Sequence, residues 1–414
     1  MTGQAAAKGR LRIGVPSAFL TLMTLANLAA LWFAVYKILP LTLMAMAAVL
    51  FAVFRPVAPV SLRRIAPAVF ALVSVYVYTG VATTWSPNPG AALGEFTVVV
   101  LAIVPAVLFG YFLGSRFNVL EVALGFGVLP LIFLLQAVFN QFAMGDAMLI
   151  GEFSIRSLLG GVTCLTTPLL LAACLQRPRL FIGLQFLLSL LLALMIQSRS
   201  SVLIVSPAIL YVLFRYSRKA FFSAMLVGAM CLVMASAVNV GQIAGRFSTE
   251  NTSLDITDAV LEEAAKPVED RVDFDRRLAA FVSTNLFLQN PLRGGGYSSV
   301  LQTNEGEYGL EIVSHGFVPG TAGELGLFGL TFILFFFHQL YRLNRPAHSP
   351  TGSTPQPISI GLTGFWCGLT ALVFYGFFHQ TFESAIFGVT VGIAFGLMAT
   401  AGHDTKAAFE DKKS

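Results

Sequence analysis

The chain has 414 residues, of which 56% are hydrophobic and only 11% are charged, whereas soluble globular domains carry about 25% charged residues. This composition and a mean hydropathy of +0.77 exclude a soluble globular protein. The net charge of +5 does not indicate a nucleic-acid partner, because its cations lie in loops that would contact anionic membrane lipids.

Apolar stretches of about the length needed to cross a ~30 Å hydrocarbon core recur along the whole chain. They predict an all-α polytopic membrane protein with about twelve transmembrane helices. In chain order the predicted spans are about 17–36, 38–54, 65–82, 94–113, 119–140, 158–175, 180–197, 200–214, 220–240, 317–340, 358–376 and 383–401.

The first span should be an anchor that stays, since Lys8, Arg10 and Arg12 precede a full-length span and no cleavage site follows a short apolar core. The distribution of Lys and Arg between the loops then predicts the orientation of the bundle in the membrane. With the N-terminus inside, 17 of them fall in cytoplasmic segments and three in short outer loops. Both termini are therefore predicted to be cytoplasmic.

Three parts follow from these spans. Residues 1–240 form an N-terminal membrane bundle of about nine spans, residues 241–319 a large outer loop, and residues 320–414 a C-terminal membrane part of about three spans with a cytoplasmic tail. Together with Glu324 at its exit, the loop holds thirteen of the 21 Asp and Glu residues. Such a concentration of charge predicts chemistry at the membrane surface.

The second half of the loop has the clearest pattern. A helix is predicted to start near Asp273, with apolar side chains at mostly helical spacing, and to lie on the membrane surface or against the bundle. Pro291 should end it, and Gly294–Gly296 should form a tight turn. The segment SHGFVPG predicts a second turn before the chain enters the membrane. Arg276, Arg293 and His315 could then converge.

Cations on the outer side are candidates for anion binding. Arg199 lies at a predicted tight turn between two spans, where its guanidinium either snorkels to the interface or clamps a phosphate. Arg276 and Arg277 point about 100° apart on a helix, so one of them is expected to be functional, and the sequence does not say which. Arg293 precedes three glycines, which is a weak signal for an anion nest.

His315 is the only histidine of the long loop. Its imidazole either has a structural role or acts as a general base, because it can accept a hydroxyl proton near neutral pH. Glu324 lies close to or inside a span, where an acid has a functional role or a capping one. Trp85, followed by Ser-Pro-Asn-Pro, is expected to be an interfacial anchor before a proline-stiffened turn.

Several of these blocks resemble one known family. The blocks are RRLAAFVSTNLFLQNPLRGGGY, then SHG, then AGELGLFGL, together with WSPNP and the SRS at Arg199. In order and spacing they are similar to the O-antigen ligase and polysaccharide polymerase superfamily, whose members are glycosyltransferases of the bacterial inner membrane. This chain departs from the family pattern at Gly316, where the family has Asn, and at Pro319-Gly320, where a more apolar helical turn is usual.

The resemblance implies a GT-C-like fold and a periplasmic active site that works without a nucleotide sugar, metal or other cofactor. The donor would be a glycan linked to undecaprenyl diphosphate, and the acceptor lipid A core or a lipid-linked glycan. His315 with Arg276 or Arg277 would be catalytic. The diphosphate would be bound by Arg199, Arg293 and Arg156, with Glu324 and Asn290 in supporting roles.

We expect a ligase slightly ahead of a polymerase of the same superfamily, since the two differ only in their acceptor. A lipid or solute transporter is an alternative prediction. Transporters carry charges and helix breaks at mid-membrane, whereas nearly every charge in this chain lies at a span end or in a loop. A non-enzymatic partner of a polysaccharide export complex is a third.

Overall fold

The computed structural model describes residues 62–116, 119–128, 130–131, 153–195, 199–226, 272–310, 312, 317–344, 360–376 and 385–400. Within these ranges the chain is helical and contains no strand. The α-helices are α1 (Leu62–Ala82), α2 (Pro89–Arg116), α3 (Val119–Phe126), α4 (Phe153–Gln176), α5 (Leu180–Met195), α6 (Arg199–Tyr216), α7 (Val272–Gln289), α8 (Ser299–Tyr308), α9 (Phe317–Asn344), α10 (Ile360–Gly376) and α11 (Ala385–Thr400). A short 3-10 helix, Thr83–Trp85, follows α1.

Three helical stretches are long and apolar enough to cross a membrane: Arg63–Trp85, Pro89–Ser115 and Val318–Leu343. Five further apolar helices of 10–17 residues accompany them in the described part of the chain. Large apolar side chains such as Phe70 and Val77 point outward from α1, as expected where lipid covers a helix. The described chain thus agrees with the prediction of a helical membrane protein. The predicted spans 17–36 and 38–54, and residues 132–140 and 227–240 of two further predicted spans, lie outside the described residues.

The core is built from paired helices, with α2 along α11 and α4 along α10. Glycines allow the first pair to approach backbone to backbone. A Cβ built on Gly110 would overlap the carbonyl of Val389, and one built on Gly392 would overlap the carbonyl of Val107. Small residues at such crossings are typical of helices that pack inside a membrane.

Gly392→Ala is therefore expected to destabilise the protein by about 2 kcal/mol or more, because the new methyl group meets rigid backbone and forces the two helices apart. The measurement is thermal unfolding of the full chain in detergent. Gly183→Ala on α5 is the control, since no atom lies within 4 Å of the added carbon there. Equal melting temperatures for the two variants would contradict the close packing of α2 and α11.

Two features of the loop region differ from the sequence prediction. Helix α8 is not predicted, because its sequence SVLQTNEGEY has no apolar periodicity to reveal it. The predicted turn SHGFVPG is wrong over its second half, since α9 already begins at Phe317 and includes Pro319. A proline fits the first turn of a helix because the amides there have no intrahelical partner.

Candidate functional site

Three blocks of sequence that are far apart in the chain meet at one end of α1. They are the WSPNP turn (residues 85–89), the glycine turn (residues 290–298) and the α9 break (residues 323–328), where Gly326 has non-helical dihedral angles of φ 64° and ψ −163° inside α9. Each block begins or interrupts a helix, so their contacts set how the loop helices are attached to the membrane bundle.

The glycine turn and the α9 break are joined by backbone hydrogen bonds, as two short strands would be. Because the helix is interrupted at Gly326, the carbonyls before the break and the amides after it become available to another segment. Four bonds use them: Gly295 N to Gly323 O at 2.8 Å, Gly296 N to Glu324 O at 2.9 Å, Leu327 N to Pro291 O at 2.9 Å, and Phe328 N to Leu292 O at 3.1 Å.

Glycine is required on both sides of this contact. Gly294 has φ 71° and Gly326 has φ 64°, a region that side chains with a Cβ rarely adopt. A Cβ on Gly326 would lie 2.5 Å from the carbonyl carbon and oxygen of Leu292, and a Cβ on Gly294 would lie 2.5 Å from those of Glu324. The contact therefore depends on both glycines for conformation and for space.

The WSPNP turn closes the same unit from the side of α1. Tyr297 N donates to Ala82 O at 3.3 Å, and Tyr78 Oη donates to Leu325 O at 3.0 Å. A Cβ on Gly296 would come within 2.6 Å of Ser86 Cα, so this glycine also allows a close backbone approach. The sequence blocks WSPNP, NPLRGGGY and GELGLFG thus form one continuous structure.

Trp85 is half-buried inside this unit. Its ring lies 6.1 Å from that of Tyr78, and it packs against a small apolar cluster that contains Ala82, Tyr297 and Leu325. The indole nitrogen is buried as well. Trp85 therefore contributes to internal packing, which the sequence prediction of an interfacial anchor did not anticipate.

Arg293 is exposed at the surface of the glycine turn. The amides that follow it do not form the anion nest suggested by the sequence. Gly294 N donates to Asn290 O at 2.8 Å, and the amides of Gly295 and Gly296 donate to carbonyls of the α9 break. These amides are therefore already used, and the exposed guanidinium of Arg293 is carried on a backbone that is held in place.

Asn290 and Glu324 are half-buried. The structure brings both into the unit that carries Arg293, and both contribute main-chain carbonyls to it. Asn290 O accepts from Gly294 N, and Glu324 O accepts from Gly296 N at 2.9 Å. The family resemblance implies supporting roles for both residues, and the hydrogen bonds of their main-chain carbonyls make them part of this unit.

Helix α7 packs against α8 and α9 through one of its faces. Leu278, Ala279 and Val282 are buried together with Leu310 and Ile312, while Arg277 is exposed on the other face. Apolar residues at helical spacing therefore bury one side of α7 and leave a cation on the opposite side.

Arg277 and Arg293 do not form a compact pair. Arg277 lies in the second turn of α7, and the twelve residue-to-residue steps from Arg277 to Gln289 rise about 18 Å along the helix. Arg293 lies beyond the C-terminal end of α7. Arg277 and Arg293 thus mark two separate positions, one near the start of α7 and one at the glycine turn. The predicted convergence of Arg276, Arg293 and His315 involves a side chain and a residue outside the described part of the chain.

Arg199, Arg156 and Arg276 are placed by their backbone alone. Arg199 is the first residue of α6 and Arg156 lies in the first turn of α4, rather than in the short loop predicted for it. The side chains of these two residues and of Arg276, and the whole of His315, lie outside the described residues.

Two further observations bear on the chemistry of the loop. Burial, and after it the neighbouring Glu307 carboxylate, raise the pKa of Tyr308 above its usual 10, so its phenol is neutral at physiological pH. In the part of the chain that the structure describes, no three His, Cys, Asp or Glu residues come together as a metal site would need.

A search against protein-family models and a search of curated proteins gave no match to this chain.

Proposed function

We propose that this protein is an inner-membrane glycosyltransferase of the O-antigen ligase type, which moves a glycan from undecaprenyl diphosphate to an acceptor hydroxyl during lipopolysaccharide assembly. The observation that carries the proposal is the meeting of WSPNP, NPLRGGGY and GELGLFG in one hydrogen-bonded unit. These are three of the blocks on which the family resemblance rests.

In this proposal about twelve helices cross the bacterial inner membrane in a GT-C-like arrangement, and both termini are cytoplasmic. Residues 241–319 face the periplasm. The three long apolar stretches of the described chain are consistent with this topology. The excess of Lys and Arg in alternate loops gives the orientation.

The proposed reaction is a substitution at the anomeric carbon of the donor glycan. The acceptor oxygen forms a bond to that carbon, the bond to the diphosphate oxygen breaks, and undecaprenyl diphosphate leaves. His315 takes the proton of the acceptor hydroxyl. Because diphosphate is already a good leaving group, the protein mainly has to position both substrates and stabilise the charge that develops on the phosphates.

Arginines supply that charge stabilisation in the proposed site. A guanidinium stays charged at all relevant pH values and can donate two parallel hydrogen bonds to phosphate oxygens. Arg293 is supported by its exposure on a backbone that four hydrogen bonds hold against α9. Arg199 and Arg156 lie in the first turns of α6 and α4, where the positive end of the helix dipole also attracts anions.

The position of His315 is supported by its described neighbours in the chain. Ile312 belongs to the buried cluster that contains Leu278 and Val282 of α7, and covalent geometry limits the Cα of His315 to about 7 Å from that of Phe317. Gly323 of α9 contacts Ser283 of α7, and Gly326 contacts Leu292 beyond its end. The two helices therefore run in the same direction, so the start of α9 lies toward Arg276 and Arg277.

The experiment that tests the proposed function is deletion of the gene, followed by electrophoresis of surface polysaccharide and of the lipid-linked glycans. A ligase should leave full-length chains on undecaprenyl diphosphate and lipid A core without a glycan. Single repeat units on the carrier would instead indicate the polymerase of the same superfamily. An unchanged pattern would contradict both activities and favour the transporter or assembly roles.

A further inference from the structure

The side-chain amide of Gln302 connects the loop helix α8 to the N-terminus of α2. Its Oε1 accepts hydrogen bonds from Ser86 Oγ at 2.9 Å and from Asn88 N at 2.7 Å. Its Nε2 donates to Asn88 O at 3.2 Å. One carboxamide thus pairs with both main-chain groups of Asn88, as a peptide group of a neighbouring strand would.

Asn88 is itself the capping residue of α2. Its Oδ1 accepts from Ala91 N at 3.2 Å, and Pro89 occupies the first position of the helix, where a proline is favoured. Gln302 therefore forms hydrogen bonds to the residue that begins α2, one of the helices long enough to cross a membrane. This attachment uses a donor and an acceptor on one side chain, a combination that only an amide provides in this geometry.

The start of α8 needs support from outside the helix. Ser298 precedes it with φ 63°, and no side-chain hydrogen bond caps this end. A residue with a Cβ in this conformation costs of order 1–3 kcal/mol and persists only where its surroundings impose it. On one side of Ser298, Gly296 lies in close contact with Ser86. On the other side, Gln302 accepts hydrogen bonds from Ser86 and Asn88.

We infer that Gln302 is a positioning residue, which holds the WSPNP turn against α8 and thereby fixes the glycine turn and the direction of Arg293. The position of Arg293 depends on the glycine turn, because only Gly294 and Gly295 separate Arg293 from the close contact at Gly296. The inference rests on the proposed function only where it makes Arg293 a contact of the donor diphosphate.

The structural half is tested by hydrogen–deuterium exchange on the full chain in lipid nanodiscs, in segments 86–92 and 293–298. Gln302→Ala should speed exchange in both segments by about tenfold, because it removes the hydrogen bonds that hold Ser86 and Asn88 and loosens the close contact of Ser86 with Gly296. Gln302→Glu keeps the acceptor and loses the donor, so its increase should be smaller. Thr303→Ala, one position along α8, should exchange like the parent protein.

The functional half is tested by transfer kinetics on the same preparations, with a lipid-linked oligosaccharide as donor. Gln302→Ala should raise the KM for the donor about fivefold while kcat per folded molecule changes less than twofold. In an Arg293→Ala background, the same substitution should raise KM less than twofold above that of Arg293→Ala alone. The reason is that the residue through which Gln302 acts is then already absent.

The outcomes separate the inference from the proposed function. Each of three outcomes would overturn the inference. The first is unchanged exchange in either segment of Gln302→Ala, and the second is exchange in Thr303→Ala as fast as in Gln302→Ala. The third is that the KM effects of Gln302→Ala and Arg293→Ala multiply in the double variant. If the parent protein transfers no glycan at all, the proposed function fails, and the exchange rates alone decide whether Gln302 holds the two turns together.

Discussion

Gly326→Ala is expected to lower the stability of the protein by about 3 kcal/mol or more and to abolish its activity. The dihedral angles of Gly326, φ 64° and ψ −163°, fall in a region that is essentially restricted to glycine. The added Cβ would also lie 2.5 Å from the carbonyl of Leu292. Neither cost can be relieved without breaking the hydrogen bonds between the glycine turn and the α9 break.

Thermal unfolding in detergent measures this effect on the full chain. The matched control is Gly306→Ala on α8, where no atom lies within 4 Å of the added Cβ. Since alanine favours a helix over glycine by about 1 kcal/mol, that control should melt at the same temperature or slightly higher. A Gly326→Ala protein as stable as the control would mean that α9 is not interrupted as described.

His315→Ala and Arg199→Ala should each reduce glycan transfer by about 10²–10⁴-fold, with membrane insertion unchanged. Loss of a general base typically costs this much, and loss of one group that stabilises developing charge costs about 10²–10³-fold. Transfer is measured as polymer on the acceptor in a strain that lacks the chromosomal copy. The amount of folded protein in the membrane fraction is measured in parallel.

Matched controls exist for both substitutions. His338 is an exposed histidine on α9, and Arg179 is an exposed arginine between α4 and α5. His338→Ala and Arg179→Ala should therefore transfer glycan at the parent rate. Normal glycan on the acceptor in both His315→Ala and Arg199→Ala would contradict the assignment of these two residues, whatever the activity of the protein proves to be.

The sequence predicted α7 well because the signals of a helix with one buried face are local. Apolar residues recur at helical spacing, and Pro291 follows the last turn. The predicted start near Asp273 agrees with Val272–Gln289. Helix α8 gave no such signal, since contacts with α7 and α9 hold it in place and its own residues lack an apolar stripe.

The candidate site depended on tertiary structure to a much greater degree. The glycines at 294, 296 and 326 are visible in the sequence as permissive residues, but nothing in their spacing says which segment comes close to them. Gly326 looks like an ordinary glycine of an apolar helix, and only its contact with Leu292 and Gly294 explains why the helix breaks there. Gln302 carried no sequence signal at all.

Composition and periodicity alone determined that this is a helical membrane protein, because lipid requires long apolar helices that satisfy their own backbone hydrogen bonds. They also located the polar loop and its cations. Only the tertiary structure decided that WSPNP, NPLRGGGY and GELGLFG form one unit. Contacts between segments more than 200 residues apart, such as Ser86 with Gln302, depend on how the chain folds back and leave no local pattern to read.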